Sequence, residues 1–174
     1  YTTPTDKYKY TVPLSIYVHS GEYVLLSSLS FNTKKSGGEE TRFYTAKLSS
    51  GDKKFVQKEL QFTEFTKSAQ CYFVPNKAKE TILMVFIVEN VQINQNINPT
   101  SMELGKPFVL DLTNMNEQYK KQMETKKDFS CMIQGAFADN SGNVTFVYQR
   151  TLKVMHQYGT IYTELGDVAL VTTT

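Results

Sequence analysis

"TILMVFIVENVQI", residues 81–93, is the stretch on which the reading of this chain turns. Its apolar side chains occupy both alternating rows, with Ile82, Met84, Phe86 and Val88 on one and Leu83, Val85 and Ile87 on the other. Successive side chains of an extended strand point to opposite faces. A strand apolar on both rows therefore needs cover on both, which makes this segment the expected core strand. The run from Ile82 to Val88 falls far short of the ~20 residues that a helix needs to cross a bilayer, so no transmembrane segment is expected. A start at Tyr1 rather than methionine is what removal of an N-terminal leader would leave.

Outward from this segment the pattern is one of strands and turns. Tyr8, Tyr10, Val12, Leu14, Ile16 and Val18 alternate with polar residues and Pro13. That is period two, the signature of a half-buried strand. Pro13 lacks a ladder donor, which points to an edge strand or a bulge. A short turn at residues 19–21 leads into Tyr23, Leu25, Leu29 and Phe31, suggesting a hairpin. Further strands are expected over 42–48, 54–65 and 70–74, divided by "SSGD" and "PNKAKE". The polar "NQNINPTS", residues 94–101, reads as a loop and Phe108–Leu112 as a short strand. A second clear hairpin has Phe129, Cys131, Ile133 and Phe137 before "ADNSGN", and Val144, Phe146, Tyr148, Leu152 and Val154 after it. A last strand through Ile161 to Val171 carries a kink or bulge at Gly166.

One segment breaks the pattern. Leu112, Met115, Tyr119 and Met123 recur at helical spacing, and Asn114 with Glu117 resembles a capping box, so a crossover helix is expected near 114–126. Its apolar stripe needs a sheet face or an open end of the fold to lie on. Glu117 and Lys121 form a favourable i, i+4 pair, and Lys126 and Lys127 oppose the negative helix terminus.

The chain has 174 residues, enough for one domain spanning 1–174 with a substantial core. Eleven tyrosines, eleven phenylalanines and many branched residues suit pleated surfaces. The expected fold is mainly β: a single antiparallel β-sandwich of about nine strands, with a jelly roll as its more specific form. The net charge of +2 does not by itself indicate nucleic acid; the positions of the lysines must decide.

Catalytic groups are sparse. His19 and His156 are the only histidines, which excludes a three-histidine zinc site, and no close Cys-x-x-Cys pair replaces it. His19 reads as an exposed turn residue, since no nucleophile elbow accompanies it. "DNSGN", residues 139–143, alternates oxygen-bearing residues as a calcium loop does. Gly142 is displaced, however, and Arg150 stands where the closing carboxylate belongs, so a hairpin turn is the better reading. Cys71 and Cys131 are expected as free, buried thiols. Asn143-Val144-Thr145 fits a glycosylation sequon of the kind that arises by chance. No cofactor or metal is expected.

These observations favour a non-enzymatic interaction or assembly module of viral structural or accessory type. It would self-associate, or dock a protein partner, through aromatic-rich faces or an exposed strand edge. Tyr17, Tyr44, Tyr158 and Tyr162, which fall near turns or on polar rows, are the candidate interface residues. A different class of function would use the lysine pairs Lys34-Lys35, Lys53-Lys54 and Lys120-Lys121 as a rim that binds single-stranded nucleic acid or the headgroups of an anionic membrane surface. A carboxylate-dependent hydrolase is the third, and needs a deep pocket holding at least two acidic groups.

Overall fold

The structure is a computed structural model that describes residues 10–19, 23–34, 38–49, 55–60, 70–88, 91–122, 130–155, 159 and 161–173. The apolar stretch at 81–93 supplies two antiparallel strands, β6 (Thr81–Val88) and β7 (Val91–Ile97). With β5 (Gln70–Asn76) and β8 (Phe108–Asp111) they make a sheet in the order β5-β6-β7-β8. Residues 82–86 are all at most 1% exposed, so β6 is covered on both faces, as its two apolar rows require. Ile82, Met84 and Phe86 enter one core, and Leu83 and Val85 enter a second on the opposite face.

Each core is closed by a further sheet. The first four strands, β1 (Tyr10–His19), β2 (Tyr23–Lys34), β3 (Gly38–Ser49) and β4 (Phe55–Leu60), form one antiparallel sheet. Phe43 and Leu60 from it pack on Ile82, Met84 and Phe86, with the Phe43 and Phe86 rings edge to face at 5.6 Å. The last three strands, β9 (Ser130–Ala138), β10 (Val144–Met155) and β11 (Ile161–Thr173), form a sheet ordered β11-β10-β9. Its Ile133, Val144, Phe146 and Tyr148 close the second core. The protein is thus a β-sandwich of three layers, with the β5–β8 sheet in the middle. Within every sheet the described strands follow in sequence order, as meanders, without the Greek-key exchange of a jelly roll.

Cys71 lies in the first core and Cys131 in the second, and neither forms a disulfide. The polar stretch 94–101 departs from expectation. Asn94 to Ile97 belong to β7, where Gln92 and Asn94 are fully buried. Gln92 is tolerated because both ends of its amide are paired: Nε2 donates to Asn94 Oδ1 at 2.8 Å, and the Tyr148 hydroxyl donates to Gln92 Oε1 at 2.5 Å. Burial pushes the Tyr148 phenol far above its ordinary range and keeps it a donor.

Three bulges set which residues face inward. Pro13 pairs with Ser28 and Ser15 with Ser27, so Leu14 is the extra residue of edge strand β1. A residue inserted into a ladder inverts the faces beyond it. Leu14 and Tyr17 therefore both pack on the first core, while Ile16 and Val18 are exposed, opposite to strict alternation. On β9 the extra residue is Gln134, between partners of Val147 and Tyr148. Beyond it Ala136 and Ala138 face the core and Phe137 faces out. The third bulge lies at Gly166 and Asp167 of β11, opposite Arg150, at the kink expected there.

The helix α1 runs over Leu112–Gln122 and packs between β7 and β9, closing one end of the second core. It begins before the expected Asn114, because Asp111 Oδ1 accepts from the backbone N–H groups of Thr113 and Asn114 at 2.9 and 3.2 Å. Leu112 and Tyr119 are buried and Met115 half-buried; Met123, Lys126 and Lys127 lie outside the described residues. Glu117 holds Lys120 at 2.9 Å, the i, i+3 partner rather than Lys121.

The two hairpin turns 76–81 and 138–144 are latched together. Asn76, buried, donates from Nδ2 to the Gly142 carbonyl at 2.9 Å and accepts from the Lys79 N–H. Gly142 has φ +85°, and the Lys79 stem lies where its Cβ would be, 2.9 Å away. Gly142→Ala is expected to lower unfolding free energy by about 1–2 kcal/mol, measured by urea denaturation, from the left-handed backbone alone.

Candidate functional site

The surface of the β9–β11 sheet that faces away from the core carries most of the large apolar side chains that are exposed among the described residues. Twelve large apolar side chains are exposed among the described residues, and seven of them lie on this face: Met132, Phe137, Met155, Ile161, Leu165, Val168 and Leu170. Their register makes the patch continuous. Val147 is flanked by Leu170, Gln149 by Met132 and Val168, Thr151 by Leu165, and Met155 by Ile161. Contiguous exposed apolar area of this kind marks an interaction surface, whereas scattered exposed residues do not. The bulges at Gln134 and Gly166 create it by changing which row of each strand faces out.

Behind this face lies a buried polar cluster. Arg150 continues the inward row of Val144, Phe146 and Tyr148, and its side chain is 10% exposed. Its Nη1 donates to Asp167 Oδ1 at 3.0 Å, and its guanidinium carbon sits 3.8 Å from the Tyr119 ring centre. The β11 bulge places Asp167 opposite Arg150, and α1 supplies the ring. Burial, then a hydrogen bond to Asp167, pushes the Tyr119 phenol up. Nearby the Cys131 thiol donates to Asn116 Oδ1 at 2.9 Å. Burial pushes this thiol up, against the opposing pull of Arg150, so it is an unreactive donor rather than a thiolate. Alternation alone could have placed Arg150 on the core face; nothing local in the sequence names its partners.

A cavity of about 490 Å³ opens between the end of β1, the 76–81 turn and the loop after β7. His19 and Tyr17 line it, with Lys77, Glu80, Asn98 and Thr100. His19 is thus half-buried in a cavity wall rather than an exposed turn residue. Glu80 is the one carboxylate among its described lining residues, so it offers no acidic pair for a hydrolase. The other described carboxylates with known partners have local structural roles. Asp111 caps α1, Asp167 holds Arg150, and Asp139 accepts from the Ser141 and Asn143 N–H groups and from Asn143 Nδ2. Those bonds, led by the one from the Asn143 side chain, hold the Asp139 carboxyl below its ordinary range, and they identify residues 139–143 as a hairpin turn. They also engage the side chain of the sequon residue Asn143.

The expected site residues are dispersed. Tyr44 is 5% exposed, and Tyr17 packs against Phe73 with ring centres 6.4 Å apart, so neither stands on the outward face expected of it. Tyr162 falls in β11, next to Ile161, and Tyr158 lies outside the described residues. Lys120 and Lys121 end α1, and Lys34 ends β2. Lys35, Lys53 and Lys54 lie outside the described residues. Among the described residues no group of three or more metal-binding side chains occurs, and no helix is long and apolar enough to cross a membrane. Comparison with family models, with curated proteins and with solved structures returned no match to the chain.

Proposed function

We propose that this chain is an assembly module whose outer β9–β11 face stacks on the same face of a second copy. The observation that carries the reading is the concentration of seven exposed apolar side chains on one sheet surface. Size supports it. A strand of twelve residues spans roughly 40 Å and three strands roughly 14 Å. That footprint, corrugated by side chains, approaches the ~800 Å² per partner of a stable interface.

Chemistry supports a copy of itself as the occupant. The polar residues between the apolar ones are mostly uncharged, Thr145, Gln149, Thr151, Thr163 and Thr172, with Lys153 as a charge between Thr151 and Met155. A face without a dominant charge sign does not repel its twin, and a two-fold axis requires such self-complementarity. Stacking is favoured over edge pairing because both β1 and β11, each an edge strand, are interrupted by bulges, a common way of blunting an edge.

The test is analytical ultracentrifugation of the full chain at ~50 µM, well above the Kd of a micromolar dimer. The wild type is expected to sediment as a dimer, and Leu165→Lys with Leu170→Lys as a folded monomer. A monomeric wild type, or a dimer that survives both lysines, overturns the reading.

A further inference from the structure

We propose that the cavity between β1, the 76–81 turn and the loop after β7 binds a neutral polyhydroxylated ligand, a saccharide in chemical class. This goes beyond the assembly reading and stands on separate residues. Among its described lining residues the cavity offers one cation, Lys77, and one anion, Glu80, with the His19 imidazole beside them. Among the described residues none of these side chains has a hydrogen-bond or ion-pair partner.

An anionic ligand would meet Glu80 and a cationic one Lys77. Hydroxyl groups donate and accept at once, and so suit a cavity in which donors and acceptors face each other without a net sign. Tyr17 and Pro75 supply apolar wall for the C–H faces of a sugar ring. The volume falls within the range of about 300–1,000 Å³ typical of small-ligand sites.

Two further observations separate this cavity from a chance gap between loops. Its walls are locked in place. Asn98 Oδ1 accepts from the Thr100 and Ser101 N–H groups, and Asn76 ties the opposite turn to Gly142. Such walls need no ordering when a ligand arrives. Second, Glu80 has φ +50°, a left-handed conformation that glycine adopts freely and glutamate does not. A turn selected only to join two strands would carry glycine or asparagine at this position. A strained residue kept in a cavity wall points to its side chain as the reason.

The test is saturation-transfer NMR on the full chain with methyl glucoside, methyl galactoside, methyl mannoside and N-acetylglucosamine, beside glucuronate, glucosamine and glucose 6-phosphate. At least one neutral saccharide is expected to bind in preference to the charged probes. Glu80→Gln should weaken that binding about tenfold, the loss expected for a hydrogen bond to a charged acceptor. Glu80→Gly should abolish binding while raising the melting temperature by about 2 °C as the strain is released. No neutral saccharide bound at 50 mM, preference for a charged probe, or binding undiminished in either variant overturns the proposal. Because the sedimentation test reads a different surface, either proposal can fail while the other stands.

Discussion

Replacing Arg150 with methionine is expected to lower the unfolding free energy by about 3 kcal/mol in urea denaturation, a large fraction of the ~5–15 kcal/mol typical of a domain. Methionine keeps most of the stem and removes the guanidinium, which acts on two elements at once. It meets Asp167 of β11 at 3.0 Å and lies 3.8 Å from the Tyr119 ring centre on α1. A charge-assisted hydrogen bond contributes about 1.5–3 kcal/mol. A desolvated cation–π contact contributes about 2 kcal/mol. Asp167 is 54% exposed and can regain water, which keeps the loss at the lower end of the range for a broken buried pair. Asp167→Asn should cost less, about 1–2 kcal/mol, because the amide oxygen still accepts from Nη1. The double variant should fall short of the two separate losses added together, since both report on one contact. An Arg150→Met protein within about 0.5 kcal/mol of wild type would mean that the cluster does not hold α1 to the sheet.

The parts of the fold that were legible in the sequence are those set by two-residue periodicity within a single strand. β6 was readable because both its rows are apolar, and the inward row of β10 because nothing interrupts it through Tyr148. Pro13 announced a bulge in an edge strand, and Gly166 another. What could not be read is the position at which a bulge acts. Leu14 and Gln134 carry no local signal, yet each inverts every side chain beyond it. Phe137 therefore read as core and is surface, and Tyr17 read as surface and is half-buried in the first core. The interaction face was hidden for the same reason: its residues are scattered over three strands and share a side only in the folded register. β7 was obscured differently. Its Asn94, Gln95 and Asn96 look like loop, and nothing nearby in the sequence shows that Asn94 accepts from Gln92, itself held by Tyr148 56 residues away. The helix was legible by its stripe but not by its start, because Asp111 ends the preceding strand and caps α1 at the same time.

Deleting Met132 is expected to be the most damaging single change on β9, lowering stability by about 3 kcal/mol or more and the melting temperature by roughly 6–12 °C. The side chain is not the cause: it is exposed, and Met132→Gln should stay within about 0.5 kcal/mol of wild type. The backbone count is. Deleting Gln134 instead would only close the bulge, because Gly135 already pairs with Val147 and Ile133 with Tyr148, so every partner and every face is kept. Without Met132 one set of pairings must be lost. If the bulge closes while Cys131 stays opposite Arg150 and Gly135 opposite Val147, Ile133 moves to the outer row opposite Gln149 and Gln134 to the inner row opposite Tyr148. Turning a branched apolar side chain out of the core costs about 1.5–3 kcal/mol, and burying an amide in its place about 1–3 kcal/mol more. If the bulge persists and Ile133 stays opposite Tyr148, Cys131 moves to the outer row opposite Gln149, Ser130 moves opposite Arg150, and Asn116 Oδ1 loses its thiol donor. Cysteine accessibility distinguishes the two registers. In the first Cys131 stays protected in the folded protein; in the second it reacts with a thiol reagent. In both, residues 135–138 keep their pairing, so Phe137 stays on the surface offered to a second copy while that surface loses Met132.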